Sequence, residues 1–136
     1  MTSARRVKTK AHPEGASTDS DVGPGRRLRA IRGAIGVERD DPRAIYAATR
    51  ELLSAIVARN DVVTDDIISV IFTVTPDLRS AFPALAARQM GWLDVPLLCT
   101  MEIPVPGALT RCIRVLLHVE SRRARAQIEH VYLGAA

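Results

Sequence analysis

The segment Cys112-Ile113-Arg114-Val115-Leu116-Leu117-His118-Val119 leaves this chain the fewest choices of fold. It is short, apolar and rich in β-branched residues, which predicts a strand. Successive side chains of a strand point to opposite faces, so Ile113, Val115, Leu117 and Val119 share one face, while Cys112, Arg114 and Leu116 share the other. Both faces are apolar, and both need cover. A second run, Val95-Pro96-Leu97-Leu98-Cys99-Thr100-Met101-Glu102, precedes it across a connection marked by Pro104, Pro106 and Gly107. The two runs are expected to be central strands of one sheet. Glu102 and Arg114 lie in or at the ends of these runs, where a charge is costly without a partner. Two readings follow: a structural Glu102–Arg114 ion pair, or an anion-binding arginine beside a carboxylate that accepts a hydroxyl.

The rest of the chain supplies the cover for one face only. Leu28 to Ile35 predicts a first strand with Leu28, Ala30 and Arg32 on one face, where Arg32 either snorkels to water or meets a ligand. Asp40-Asp41-Pro42 is a helix start, followed by Ile45, Thr49, Leu52, Leu53, Ile56 and Val57 at helical spacing, with a stop at Asn60. Ile67 to Val74 is uniformly apolar enough to predict a central strand covered on both faces. Thr75-Pro76-Asp77 turns the chain. Phe82-Pro83 opens a second helix, Pro83 to Met90, ended by Gly91. Trp92 reads as a packing residue. Ser121 to Gln127 is a charged connection with about one helical turn, and His130-Val131-Tyr132-Leu133 is a short last strand. This is the α+β class: a mixed β-sheet with two crossover helices. Two such helices cover one face, so the other must be buried by another subunit, which places Arg114 in an intersubunit cleft, a usual place for a ligand.

Length allows one domain with a real core. Residues 1–26 are polar and poor in large apolar side chains, and are expected to be a disordered extension; translation from a start codon upstream of the true one would give the same composition. The domain is expected over 27–136. Charge divides unevenly: residues 1–27 hold six Lys/Arg against three acids, whereas residues 28–136 hold thirteen arginines, no lysine and twelve acids. A near-neutral domain excludes a broad basic face for nucleic acid. Cys99 and Cys112 are the only cysteines and read as free thiols of a reducing compartment. No run approaches the ~20 apolar residues of a membrane span, and no apolar core follows the basic N-terminus as in a secretory signal. A cytoplasmic protein is expected.

No phosphate loop, GxSxG elbow, Cys–His pair or metal-spaced cluster is present. His118 and His130 read as satisfied strand histidines, and His12 lies in the tail. What remains near strand and helix ends is Arg32, Arg88 and Arg114, one carboxylate (Glu102) and one phenol (Tyr132). That set suits a small polyanion bearing a hydroxyl and is poor equipment for acid–base or covalent catalysis.

With those residues in view, the chain resembles the AroH-class chorismate mutases, small trimeric enzymes of Bacillus and relatives. The likeness runs from about Arg29 to Leu133 in separate blocks: Arg32-Gly33-Ala34 with Val37-Glu38-Arg39-Asp40, Thr75-Pro76-Asp77-Leu78, Phe82-Pro83-Ala84, Gly91-Trp92, Val95-Pro96 with Cys99 and Glu102, Cys112-Ile113-Arg114-Val115, and His130-Val131-Tyr132-Leu133. The resemblance implies a homotrimeric pseudo-α/β-barrel with an active site at each subunit junction, converting chorismate to prephenate without cofactor or metal. It implies that Arg114 donates to the ether oxygen, Arg32 binds a carboxylate, Glu102 accepts from the ring hydroxyl and Tyr132 binds a substrate carboxylate. Cys99, with Leu97 and Leu98 beside it, would contact the same region, and Phe82, Ala84 and Arg88 would form the neighbouring wall.

Two departures bear on substrate affinity. Leu85 stands where relatives can carry a lysine, and the chain stops four residues after Tyr132, where relatives continue into a covering tail. Both are expected to weaken binding more than chemistry. Two other readings use the same arginines: a non-catalytic trimer that binds a carboxylate metabolite, and another enzyme on a similar trimer such as an imine deaminase. The second leaves Glu102 and Tyr132 together unexplained.

Overall fold

The structure, a computed structural model, describes residues 25–136. All of the expected extension except Gly25 and Arg26, and His12 with it, lies outside the described residues. The chain runs β1 (Arg27–Gly36), α1 (Pro42–Asn60), β2 (Ile67–Val74), α2 (Pro83–Gln89), β3 (Leu97–Met101), β4 (Cys112–Ser121) and β5 (Val131–Leu133), with single 3-10 turns at Thr64–Asp66 and Arg125–Gln127. Five strands form one mixed sheet in the order β3-β2-β4-β1-β5. β4 is central, antiparallel to β1 and to β2, and each outer pair, β2–β3 and β1–β5, is parallel.

Local chemistry sets the helix ends. Asp41 caps α1 by accepting from the Ala44 N–H at 2.9 Å, and Pro42 fills the first helical position. At the other end Asn60 is buried because its amide donates to Ile56 O and Glu129 O and accepts from Glu129 N, fastening the helix to the segment before β5. α2 starts at Pro83 and is stopped by Gly91, whose φ of 95° only glycine adopts freely.

Both helices lie on one face. Ile31, Ile35, Val70, Phe72, Ile113, Val115, Leu117 and Val119 pack there beneath Ile45, Leu52, Leu53 and Ile56 of α1, with Ala84, Ala87 and Trp92 closing the α2 side. Each large side chain so buried contributes about 1.5–3 kcal/mol. α1 crosses β1 closely over Gly33, where a Cβ would stand 2.9 Å from Ile56 Cδ1 and 3.0 Å from Leu52 Cδ1.

One expectation is corrected. β3 is an edge strand, not a central one, since β2 lies between it and β4. The connection from Glu102 to Arg111 passes over the end of β2, a crossing that the run lengths alone do not reveal. β2 is interior to the sheet, but only its Val70/Phe72/Val74 side is covered; Ile71 and Thr73 face the open side, and Ile68, at a bulge, is exposed. On that open face Leu28 and Leu98 are 57% and 60% exposed, an apolar surface of the kind that marks an interaction site. Among the described residues no helix is long and apolar enough to cross a membrane.

Candidate active site

Strand register places one group of the predicted residues on the open face. Thr100 pairs with Thr73, Thr73 with Arg114, Arg114 with Ala34, and Ala34 with Tyr132, so these five residues form one row across all five strands. The next row runs Leu98, Ile71, Leu116 and Arg32. Arg32 and Arg114 are thus diagonal neighbours, about 7–8 Å apart at the backbone. Arg32 also donates its backbone N–H to His130 Nδ1 at 3.0 Å, and His118 Nδ1 meets Ser69 Oγ at 3.2 Å. Each of these histidines, His118 on β4 and His130 just before β5, thus has its Nδ1 in a hydrogen bond within the fold.

Glu102 joins this group from the end of β3. Its N–H donates to Val74 O at 2.8 Å, and its Oε2 accepts from the Thr73 hydroxyl. The same oxygen lies 3.5 Å from Arg114 Nε, with the side chains 24% and 44% exposed. A pair so long and open contributes about 0–1 kcal/mol, too little to be the reason for a guanidinium on this face. The ion-pair reading is therefore correct as geometry and insufficient as explanation. A cavity of about 280 Å³ opens beside the pair, lined by Thr75, Asp77, Glu102, Ile103 and Arg114.

The position of Arg114 is fixed by the start of β4. Thr75 Oγ1 accepts from Cys112 N at 3.0 Å and donates to Asp77, which takes the Arg111 N–H on both carboxylate oxygens. Arg111 adopts φ 45° there and places its Nε on Val37 O. Burial disfavours the Asp77 carboxylate, but the hydrogen bonds from Thr75 and Arg111 outweigh it and hold the pKa below the usual value.

A second group of the predicted residues lies on the other face, at the α2–β3 corner. Leu97 and Cys99 point toward the helices and are half-buried, Ala84 is buried, and Phe82 and Arg88 are exposed. Burial pushes the Cys99 thiol up, against the opposing pull of the Ala84 backbone and Arg88. A thiol kept protonated is a hydrogen-bond donor and not a nucleophile. Leu98, between Leu97 and Cys99, faces the open side.

The predicted residues therefore form two groups. Glu102 and Arg114 meet and share the open face with Arg32 and Tyr132, whereas Phe82, Ala84, Arg88, Leu97 and Cys99 lie at the α2–β3 corner. Cys99 does not share the region of Glu102 in one chain, because three positions along a strand put the two on opposite faces. Thr73 and Cys112 complete the first group and are not among the predicted site residues. Thr73 is one of two hydroxyls in a mostly apolar run, on the same face as Ile71 and Ser69, a weak signal by itself. Cys112 is buried beside Arg114, and its thiol is raised by that burial. Among the described residues no group of three or more His, Cys, Asp or Glu could hold a metal ion.

This arrangement can bind an anion and a hydroxyl at fixed positions, and a family comparison gives that capacity a name. The family model described as "Chorismate mutase type I" matches residues 28–136. The chain belongs to the AroH-class chorismate mutases. It is 52% identical over 110 residues to a chorismate mutase AroH of Thermus thermophilus, covering 80% of this chain and 90% of the relative. It is 42% identical over 107 residues to the chorismate mutase AroH of Bacillus subtilis, covering 78% and 84%. A solved chorismate mutase from Clostridium thermocellum superposes with a TM-score of 0.76 at 50% identity, covering 78% of this chain and 96% of that one. The mixed α+β sheet with two helices is the fold of this family.

Proposed function

We propose that the chain acts as a homotrimer in which the α2–β3 corner of one protomer faces the open sheet of the next, and that chorismate binds in the seam between them. As a chorismate mutase the enzyme is an isomerase that converts chorismate to prephenate, the step toward phenylalanine and tyrosine. The observation that carries the reading of the site is the division of its residues between two faces. A ligand on Arg114 lies on the open face, so it cannot touch Cys99 or Ala84 of the same chain, which lie on the helix side of the sheet. A second protomer supplies that wall and covers the exposed apolar face as well.

In the Claisen rearrangement a C–O bond breaks while a C–C bond forms, with no proton moved and no bond made to the protein. Catalysis then consists of holding the compact conformer and stabilising charge that develops on the ether oxygen. Arg114 donates to that oxygen with a permanently charged, rigid fork. Arg32 binds a substrate carboxylate, Tyr132 hydrogen-bonds a carboxylate, and Glu102 accepts from the ring hydroxyl. From the neighbouring protomer Phe82, Ala84 and Leu97 shape the wall, Cys99 donates, and Arg88 attracts the dianion at the entrance. Leu98 lies at the seam.

The reading extends to a catalytic domain spanning 27–136 and a cytoplasmic enzyme, in keeping with two free cysteines. The test is loss of chorismate absorbance with purified protein. Turnover that disappears on Arg114→Ala supports the assignment, whereas chorismate binding without conversion overturns it.

A further inference from the structure

Thr73 carries a hydroxyl on the open face that touches Glu102 and to which the proposed chemistry gives no task. It stands on β2 directly opposite Arg114 on β4, half-buried, and its hydroxyl donates to Glu102 Oε2. That same oxygen is the one 3.5 Å from Arg114 Nε. Glu102 lies one residue beyond β3, and its backbone N–H donates to Val74 O. A glutamate so placed, beside a guanidinium, is free to turn both oxygens onto it, since a bidentate carboxylate–arginine pair is the stronger arrangement. That rotation would draw off the donors that an anionic ligand needs.

Threonine is suited to prevent it. A β-branched side chain has little freedom about χ1, and an interior strand fixes its backbone, so the hydroxyl is a donor at a set position. With Oε2 accepting from Thr73 and 3.5 Å from Arg114 Nε, Oε1 is the oxygen offered to a ligand. From this geometry we infer that Thr73 is a positioning residue: it holds the Glu102 carboxylate in the orientation that accepts the substrate hydroxyl and keeps it from closing onto Arg114. The inference rests on the role given to Glu102 above.

The experiment compares kcat and KM for chorismate among Thr73→Val, which is isosteric without the hydroxyl, Thr73→Ser, which keeps it, Glu102→Gln, and the Thr73→Val/Glu102→Gln pair. Thermal melts and far-UV circular dichroism of each check folding. Thr73→Val is expected to lower kcat by about tenfold or more, the scale of one hydrogen bond to a charged group, with a smaller change in KM. Thr73→Ser is expected to restore kcat to within about threefold, inside the usual spread of single-bond effects. In the Glu102→Gln background Thr73→Val is expected to cost little further, because its action passes through that carboxylate. Unaltered kcat in Thr73→Val with a damaged Glu102→Gln overturns the inference and leaves the Glu102 assignment standing. An equal loss in both backgrounds overturns it too, as it marks a packing role. An active Glu102→Gln enzyme overturns the underlying reading. Should Thr73→Val fail to fold, Thr73→Ala against Thr73→Ser makes the same comparison, with the same outcomes.

Discussion

Arg114 and Tyr132 lie in one row across the sheet, separated by the single small side chain of Ala34. Two strand spacings put their backbones about 10 Å apart, leaving a trough between a guanidinium and a phenol on an otherwise apolar floor. Arg114→Ala is expected to leave the fold intact, because the side chain is half exposed and its ion pair weak. It should reduce kcat by at least about 100-fold, the scale for loss of one preorganised donor. Arg114→Lys should recover little of this, since an ammonium lacks the planar fork. Steady-state kinetics beside a thermal melt checks both.

The division of the site between faces predicts complementation. In the proposed trimer Arg88→Ala and Arg114→Ala fall in different halves of the seam, so each alone should damage every seam. Co-expressed, the two variants should regain activity, because some seams receive an intact half from each chain. Random pairing makes about one seam in four fully intact. Co-expressed preparations no more active than the better single variant would place both arginines in one chain's site.

Leu85 is partly exposed on α2, one turn before Arg88. Leu85→Lys adds a cation at the entrance and should lower KM while leaving kcat nearly unchanged. The gain should shrink as ionic strength rises, because an exposed charge is screened over about 10 Å at 0.1 M salt. KM measured at low and high salt tests this.

Gly33 is needed for the crossing of α1 over β1. A Cβ there meets Ile56, Leu52 and Val131 O between 2.9 and 3.1 Å. Gly33→Ala should destabilise the protein by about 1–3 kcal/mol through overpacking, visible as a lower denaturation midpoint. The neighbouring Arg32 then makes activity a second readout.

Asp77 has its folded pKa below the ordinary 3.8, as have Asp40, through Ser80, and Asp41, through the Ala44 N–H. A depressed carboxylate contributes stability that is present above the unfolded value and is lost as pH falls through the folded one. Stability should therefore drop below about pH 4, where model carboxylates begin to protonate. Asp77→Asn should be less stable at neutral pH and show a shallower acid-side fall. Urea midpoints from neutral pH down to the acid limb of unfolding measure this.

Periodicity made much of this architecture legible. The two-sided β4 required cover that two helices could not supply, and the Asp-Pro and Phe-Pro starts marked both helices. The same alternation placed Arg114 on the uncovered face and Arg32 on one face with Leu28 and Ala30. Sheet order was less accessible: whether β3 pairs with β4 or with β2 depends on how a crossover returns, which no local pattern records. The separation of Cys99 from Glu102, by contrast, was written in their odd spacing. Thr73 was hidden for a different reason, because a threonine in a strand is ordinary until its neighbour across the sheet is known.

The two-sidedness of β4 assigns different duties to alternate codons. Substitutions at Ile113, Val115, Leu117 and Val119 should be recorded as poor yield of folded protein. Those at Arg114, Leu116 and His118 should give well-behaved chains that turn over or associate badly. A saturation screen scored for abundance and for growth without phenylalanine and tyrosine would then show two interleaved combs along a single strand, each silent where the other speaks.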